Sequence, residues 1–330
     1  MSELYPWLQT PWDRLWQRHS TSGLPHGILL LAPFGCGKMA FSEYLAQALL
    51  CSNGKTSGAA CGGCRSCQLF EAGNHPDHHL VEPEQVGKSI KIDQIRKLCR
   101  DLELTAQFSG YKVAVITAAE SMTEAAFNSL LKTLEEPSNN TLLLLLCSQP
   151  ARLPKTIISR CETFSLPLPD SQQALNWLIG EVGERTQEEL LLALSLSFGA
   201  PLLAKKALQD EHLDERRARL SRYQALFAGR ENPVQLAALW KEVSQAKQVV
   251  FELRSWVSDL IRLRLSAVAK IENLDCKREL LVLAESLDLK SLYRYSDRLQ
   301  SVFREGESSM NPQTVLEELL IVATELVRRR

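Results

Sequence analysis

The chain has 330 residues, of which 45% are hydrophobic and 23% are charged, a composition typical of globular domains. This length is sufficient for two or three domains. The formal net charge of −1 excludes a protein that is basic overall and binds nucleic acid through that charge, but it leaves a local basic patch open.

The beginning of the chain lacks the basic start and apolar core of a secretory signal. No apolar run reaches the ~18 residues that a membrane-spanning helix needs. We therefore expect a cytoplasmic protein without a membrane partner. In a reducing compartment, its nine cysteines are expected to be thiols or metal ligands.

Strand and helix patterns alternate along the first half. Short apolar runs bounded by turn residues predict buried strands at 26–32, 78–83, 111–120, 141–148 and 163–169. Helical spacing predicts helices at 38–51, 90–104 and 123–137, the last of which ends at Pro137. This alternation predicts an α/β fold with a parallel, doubly wound sheet.

From residue 171 onward the pattern is helical throughout. Three short helices are predicted between 171 and 210, and longer helices follow to the end of the chain. We predict an α/β domain at 1–166, a small helical domain at 167–210 and a helical domain at 211–330. Four apolar residues of the last domain fit either its own core, which is the default, or an oligomerisation surface: Leu253, Trp256, Leu260 and Ile261.

Four cysteines follow the helix predicted at 38–51, with the spacing C-x9-C-x2-C-x2-C. They are Cys51, Cys61, Cys64 and Cys67. Short glycine-containing turns allow neighbouring thiolates to converge on one ion, and four thiolates at tetrahedral corners are a structural zinc site. A site with four protein ligands has no position for a catalytic water, so we predict a structural zinc module at 51–67.

Several alternatives to this zinc module remain open from the sequence. The cluster could be unrelated buried thiols, or it could hold iron or an iron–sulfur cluster. His75, His78 or His79 could replace one cysteine, although we interpret these three as surface polar residues. A further alternative is a zinc-dependent DNA-binding module. Residues 51–67 contain only Lys55 and Arg65 as basic residues, which is little positive charge for binding a duplex. The remaining cysteines are interpreted as ordinary semi-buried residues: Cys36, Cys99, Cys147, Cys161 and Cys276.

The turn between the first predicted strand and helix is close to a phosphate-binding loop, G-x-x-x-x-G-K-[ST]. The eight positions are occupied by Ala32, Pro33, Phe34, Gly35, Cys36, Gly37, Lys38 and Met39. Gly35, Gly37 and Lys38 are retained and could contact phosphate. Met39 lacks the hydroxyl oxygen that would bind Mg²⁺.

Such an ATPase also has an acidic residue at the end of a core strand that helps to bind magnesium, and this residue is absent here. The strand predicted at 111–120 ends in Thr117 and Ala118, and the first carboxylate is Glu120. Two independent losses on the magnesium side predict that this site does not hydrolyse ATP. The alternative is a self-sufficient ATPase that uses Lys38, with Glu120 as the metal ligand or base.

Four further stretches carry a family resemblance. "NSLLKTLEEP" (128–137) and "LPKTIISRC" (153–161) resemble signatures of clamp-loader subunits of the AAA+ ATPase family. "YPWL" (5–8) and "AGNHPDHH" (72–79) are similar to the delta-prime family of bacterial DNA polymerase III, and the four-cysteine insert fits as well. The resemblance is carried by motifs in the first half and by the helical pattern alone in the second.

The resemblance implies an architecture and a set of partners. It implies an AAA+ module with a zinc-binding insert, a helical lid and a helical collar that joins five subunits into a ring. The partners would be gamma- or tau-type motor subunits and a delta subunit. The sliding clamp would be an indirect partner, and primer–template DNA would be contacted non-specifically, with Lys91 and Lys132 as weak candidates.

The resemblance also implies a role for Arg160, the arginine of its Ser-Arg-Cys motif. In this family that arginine acts in trans on the ATP of the neighbouring subunit. The alternative is an arginine that caps a helix or pairs with Glu135 or Glu136. The chain departs from the motor pattern at Ala32 and Met39, in the strand end at 117–118, and at Gly199–Leu203, where a phosphate-sensing arginine is missing. These departures favour a non-hydrolysing subunit within the polymerase III holoenzyme.

Overall fold

The structure of the protein is a computed structural model, which describes residues 4–53, 58–85, 87–108, 110–209, 212–305 and 311–326. It contains two compact units. The first comprises Met1–Ala174 with Ala200–Leu202, and the second comprises Leu175–Gly199 with Leu203–Arg330. The division into three domains stays a prediction, and the boundary predicted between 210 and 211 lies outside the described residues.

The first unit is built on a five-stranded sheet in the order β2-β3-β4-β1-β5, in which every neighbouring pair is parallel. The strands are β1 (Gly27–Leu31), β2 (His78–Val81), β3 (Lys112–Ile116), β4 (Thr141–Cys147) and β5 (Glu162–Ser165). β1, β3 and β4 are buried along almost their whole length, as expected for the centre of a parallel sheet. The predicted parallel sheet is confirmed.

Among the described residues, six α-helices lie within the first unit. They are α1 (Gln9–Ser22), α2 (Lys38–Leu50), α3 (Arg65–Glu71), α4 (Ile92–Glu103), α5 (Glu124–Glu135) and α6 (Lys155–Ile158). The predictions of α2, α4 and α5 are confirmed. α1, α3 and α6 are absent from the sequence prediction, because α3 and α6 are short and α1 buries only Pro11, Trp12 and Leu15, too few for a clear helical period.

Helix α1 fixes the beginning of the chain against α2. The Trp12 ring meets Tyr44 edge-on at a centroid distance of 4.6 Å and Phe41 at 6.2 Å. Aromatic pairs in this arrangement add about 0.5–1.5 kcal/mol to the burial of their area. The segment before α1 is thereby held next to the first turn of α2.

The second unit is helical. Its helices are α7 (Ser171–Val182, which begins in the first unit), α8 (Gln187–Leu196), α9 (Pro201–Gln209), α10 (His212–Phe227), α11 (Pro233–Leu239), α12 (Val243–Leu265), α13 (Lys277–Ser286), α14 (Leu289–Glu305) and α15 (Pro312–Thr324). Among the described residues, no single helix is long and apolar enough to span a membrane. α8 and α9 meet that criterion only as a pair bent by 118°.

The core of the second unit is centred on α12. Leu253, Trp256 and Leu260 are at most 1% exposed, and the Trp256 ring stacks on Tyr223 of α10 at 5.8 Å. Ile261 is partly buried and packs against the same cluster. The default interpretation of these apolar residues as core is therefore confirmed.

Two buried arginines of α10 tie that helix to its neighbours. Arg219 donates from Nε and Nη2 to the two carboxylate oxygens of Glu252 on α12, at 2.7 and 2.8 Å. Arg216 donates to the Asp275 carboxylate at 2.7 Å. The Glu252 side chain is only 2% exposed, so its charge depends on Arg219 for compensation.

We predict that Arg219→Ala lowers the free energy of unfolding by about 3–5 kcal/mol, because it leaves the buried Glu252 carboxylate uncompensated. The matched control is Arg222→Ala, whose ion pair with Glu231 is largely exposed on the arginine side and should change stability by less than about 1 kcal/mol. Urea unfolding of the full chain measures both variants. Equal midpoints for the two variants would contradict the assignment.

Candidate functional site

The glycine-rich loop joins β1 to α2 at the carboxyl edge of the sheet. Gly37 has φ +98°, and a Cβ on it would lie 2.7 Å from the Tyr5 ring. The backbone conformation and the packing of the N-terminal segment therefore both require glycine here. The Trp7 indole donates to the Cys36 carbonyl at 2.8 Å, which fixes the same segment on the loop.

Lys38 is the first residue of α2, and its ammonium group is fully engaged within the chain. It donates to the carbonyls of Ala32 at 2.8 Å and Pro33 at 3.0 Å, and to Ser148 Oγ at 2.7 Å. These three bonds use all three ammonium protons. Burial lowers the pKa of Lys38, and the nearby Glu120 carboxylate opposes that shift. The role of Ser148 as an acceptor for Lys38 was not predicted, because residue 148 lies 110 positions away in the chain.

The residues around Lys38 offer little to a magnesium ion. Met39 lies on α2 and contacts Ser42. Glu120 is buried and accepts the Ser148 backbone N–H at Oε1, at 2.9 Å. Thr117 donates its backbone N–H to Val81 across β2 and β3. One oxygen of the carboxylate that the alternative ATPase would use is thus bound to the residue after β4, and the other, Oε2, is buried without a hydrogen-bond partner in the described structure.

Four of the cysteines outside the cluster are protonated at neutral pH. Burial raises the pKa of Cys36 to about 11 and that of Cys147 to about 12. Burial likewise raises the pKa of Cys161 to about 11 and that of Cys276 to about 12. These values agree with their interpretation as ordinary buried cysteines.

Arg160 lies between α6 and β5, with its guanidinium at the surface. Its Nε donates to Glu135 Oε1 at 2.8 Å, and Nη2 lies 2.5 Å from the same oxygen. Nη1 donates to the Thr156 carbonyl at 3.0 Å. The ion pair with Glu135 weighed from the sequence is therefore present. The pair is accessible, with side-chain exposures of 34% and 50%.

The sheet does not bring Arg160 and Lys38 together. β1 and β5 are parallel neighbours, with Leu31 opposite Ser165 and Ile28 opposite Glu162. Arg160 precedes β5 at the amino edge, whereas the loop follows β1 at the carboxyl edge. Five residues at ~3.3 Å each separate the two edges by roughly 17 Å. Arg160 is thus placed away from this chain's own loop.

The four cysteine sulfurs converge, and all four Sγ atoms lie within 4.8 Å of one another. Cys51 follows the end of α2, Cys61 lies in the loop, and Cys64 and Cys67 lie at the start of α3. A tetrahedral zinc ion with Zn–S distances of ~2.3 Å needs sulfurs about 3.8 Å apart, and Cys51 and Cys64 are at 4.0 Å. The donor set fits a metal ion. Part of the predicted 51–67 module, including Lys55, lies outside the described residues.

The pKa of the Cys64 thiol is lowered, whereas burial raises that of Cys67. Cys64 is the N-cap of α3 and accepts the Cys67 backbone N–H at 3.4 Å. Burial raises the pKa of Cys64, but hydrogen bonds from the backbone N–H groups of Cys67 and Ser52 outweigh burial and bring the pKa to about 6. A thiolate is the form of cysteine that binds a metal.

The interpretation of His75, His78 and His79 as surface polar residues is wrong. His75 is 4% exposed and His78 and His79 are half-buried, because "HPDHHLV" enters edge strand β2 and its side chains are covered by neighbouring loops and helices. The His75 ring bonds Ser66 and the Asp77 backbone. Burial lowers the pKa of all three, that of His78 to about 4.

The lysines considered for DNA contact provide weak support for that role. Lys91 is exposed but pairs with Glu84 at 2.8 Å, and Lys132 lies in the last turn of α5. Both therefore stay predictions for phosphate contact.

Comparison with known proteins gives a consistent result. A family model described as DNA polymerase III, delta subunit, matches residues 8–170, and one for the C-terminal part of the DNA polymerase III delta subunit matches residues 210–325. The DNA polymerase III subunit delta' of Haemophilus influenzae is 36% identical over 80% of this chain and 79% of its own length. That of Pseudomonas aeruginosa is 43% identical over 67% of this chain and 66% of its own length.

Among solved structures, a DNA polymerase III gamma subunit-related protein from Thermotoga maritima is 17% identical, with a TM-score of 0.46 over 96% of this chain and all of that one. The aligned part of this chain spans about two thirds of the Pseudomonas aeruginosa relative.

We predict that acid destabilises the first unit through His78. The folded pKa of about 4 lies below the value of ~6.5 in an unfolded chain. The unfolded state therefore binds the proton first, and stability is lost as the pH falls from 6.5 towards 4. Between pH 7 and pH 5 the loss from this one group is up to about 2 kcal/mol.

His78→Phe tests this prediction, because phenylalanine retains a ring that can pack against Phe70 but cannot take up a proton. Urea unfolding at pH 7 and pH 5 should give a smaller loss of stability for the variant than for the parent chain. An unchanged difference between the two pH values would contradict the role of His78.

Proposed function

The chain belongs to the DNA polymerase III subunit delta' family, and from that membership we propose that it is a non-hydrolysing subunit of the clamp loader. In this proposal it assembles with gamma- or tau-type motor subunits and a delta subunit in a five-membered ring in the cytoplasm. The assembled ring loads the sliding clamp onto primed DNA, which it contacts through phosphates without sequence preference.

The contacts of Lys38 support the absence of ATP hydrolysis. In a working loop this amine pairs with phosphate oxygens, but here its protons bind Ala32, Pro33 and Ser148. A nucleotide would have to replace these three bonds. Residue 39 has no hydroxyl to position magnesium, and Oε1 of Glu120 already accepts the Ser148 backbone N–H, which leaves only the buried Oε2.

The position of Arg160 is the main observation in favour of the proposal. Its place at the amino edge of the sheet, away from its own loop, fits an arginine that serves a site on a neighbouring molecule. Glu135 holds the Nε side of the guanidinium, and Nη1 donates to the Thr156 carbonyl and, at 3.5 Å, to Ser159 Oγ. An accessible ion pair of this kind is worth about 0–1 kcal/mol, so a triphosphate can displace the carboxylate readily.

We predict that Arg160→Ala slows ATP hydrolysis at the adjacent motor site by about 10³-fold, because it removes a cation that stabilises the transferring phosphoryl group. The loader is reconstituted with only that motor site active, and single-turnover hydrolysis is measured with primed DNA and clamp. Ring assembly, followed by gel filtration, should be unchanged.

The matched control is Arg152→Ala, an exposed arginine in the same connection between β4 and β5, which should leave the rate within about twofold, since surface substitutions away from special features have small effects. Hydrolysis at the parental rate in the Arg160 variant would refute the in-trans role.

We further propose that the ion held by the four cysteines is zinc and that its role is structural. Four thiolates complete a tetrahedral shell, so no open position remains for a water or substrate. In this proposal Cys51, Cys61, Cys64 and Cys67 connect α2, the intervening loop and α3. Iron is the competing occupant, since four cysteines also suit iron.

We predict one zinc ion per purified chain and its loss in Cys64→Ser, because a hydroxyl is a much poorer ligand for zinc than a thiolate. Cys99→Ser, a half-buried cysteine outside the cluster, is the control and should retain the metal. Elemental analysis of the purified proteins measures zinc and iron together. Stoichiometric iron, or zinc retained in Cys64→Ser, would contradict the assignment.

A further inference from the structure

A chain of buried hydrogen bonds runs beside the cysteine cluster and contains none of its sulfurs. His75, Ser66 and Asp77 are 4%, 1% and 2% exposed. The Asp77 backbone N–H lies 3.1 Å from His75 Nδ1, His75 Nε2 lies 2.8 Å from Ser66 Oγ, and Ser66 Oγ lies 2.5 Å from the Leu50 carbonyl oxygen. We call these four residues the His75 chain.

The direction of every bond in the His75 chain is fixed. A backbone N–H can only donate, so His75 Nδ1 must be the acceptor and a neutral ring carries its proton on Nε2. Nε2–H then donates to Ser66 Oγ. Since the Leu50 carbonyl can only accept, the Ser66 hydroxyl donates to it. Each buried polar atom in the chain is satisfied in this single arrangement.

Two members of the His75 chain, Leu50 and Ser66, lie next to metal ligands. Leu50 immediately precedes Cys51 at the end of α2, and Ser66 immediately precedes Cys67 in the first turn of α3. The bond from Ser66 to Leu50 therefore joins the two helix ends that carry these cysteines. It acts at the peptide units beside the ligands and leaves all four sulfurs free for the ion.

The far end of the His75 chain is fastened to the sheet edge. The Asp77 carbonyl accepts the Val113 N–H of β3 at 2.9 Å. The Asp77 carboxylate accepts the backbone N–H groups of Gln107 at 2.7 Å and Phe108 at 2.9 Å. Asp77, which holds His75, is therefore itself fixed by three further backbone hydrogen bonds. His75 in turn holds Ser66 of α3 in place through its Nε2 hydrogen bond.

We propose that His75 is a positioning residue for the four-cysteine metal site, holding Cys67 and Cys51 at ligand spacing through Ser66. This inference rests on the proposed metal site and assigns to His75 a role outside the ligand set. Buried partners that orient metal ligands typically change metal affinity by about 10–100-fold when they are removed.

Zinc transfer from the full chain to a chromogenic chelator tests the proposal. His75→Ala and Ser66→Ala should each raise the zinc dissociation constant by about 10-fold or more. His75→Gln places an amide N–H near the position of Nε2, so it can still donate to Ser66 and should recover part of the affinity. The matched control is His79→Gln, which lies outside the His75 chain and should bind zinc as the parent chain does.

A second readout separates positioning from general destabilisation. Cobalt(II) substituted for zinc reports tetrahedral thiolate ligation by its visible absorption. Ser66→Ala should require more cobalt to reach the same spectrum, while its circular dichroism at saturation matches the parent chain. If His75→Ala fails to fold, Ser66→Ala alone decides the matter.

The outcomes distinguish this inference from the zinc proposal on which it rests. If the parent chain binds no zinc, both are overturned. If the parent chain binds zinc and the His75 and Ser66 variants bind it with equal affinity, only the positioning role is overturned. Graded affinity in the order parent, His75→Gln, His75→Ala supports it.

Discussion

Parallel pairing of β1 with β5 is the constraint on which the functional geometry of the first unit depends. Parallel neighbours place all their carboxyl ends at one edge of the sheet and all their amino ends at the other. The loop at 32–38 follows β1, and Arg160 precedes β5, so no side-chain rotation brings them together. A single chain therefore contains a phosphate-type loop and an exposed arginine that cannot serve the same triphosphate, which is consistent with the in-trans role of Arg160 that we propose.

The loop illustrates how a motif can be retained for reasons of packing. Gly37 is required by its positive φ and by the Tyr5 ring above it, and Lys38 is required by three acceptors that would otherwise lack this donor. Both residues belong to the phosphate-binding pattern, yet both have complete structural roles without a nucleotide. The packing of the fold is therefore sufficient to explain why Gly37 and Lys38 are present.

The cysteine module follows a different principle, because so small a segment cannot build a sufficient apolar core. Among the described residues, its local apolar cluster consists of Cys51, Ala60 and Cys67, with Cys64 against it. Order must come from cross-links, and two kinds are available here: the ion that the sulfurs would hold and the hydrogen bonds through His75 and Ser66. The second kind connects the module to the sheet edge, so the two would reinforce each other.

Strand and helix periods and ligand spacings are local properties, so the sequence was sufficient to predict the parallel α/β first half, the helical second half, the four-cysteine cluster and the loss of the magnesium ligands. The partners of Lys38, the buried position of His75 and the separation of Arg160 from its own loop could be read only from the folded chain. Ser148 lies 110 residues from Lys38 in the chain. The contact between Ser66 and His75 is not part of any helical or strand period, so the sequence pattern does not predict it. These contacts are set by strand order and by the packing of helices against the sheet, which depend on the whole chain at once.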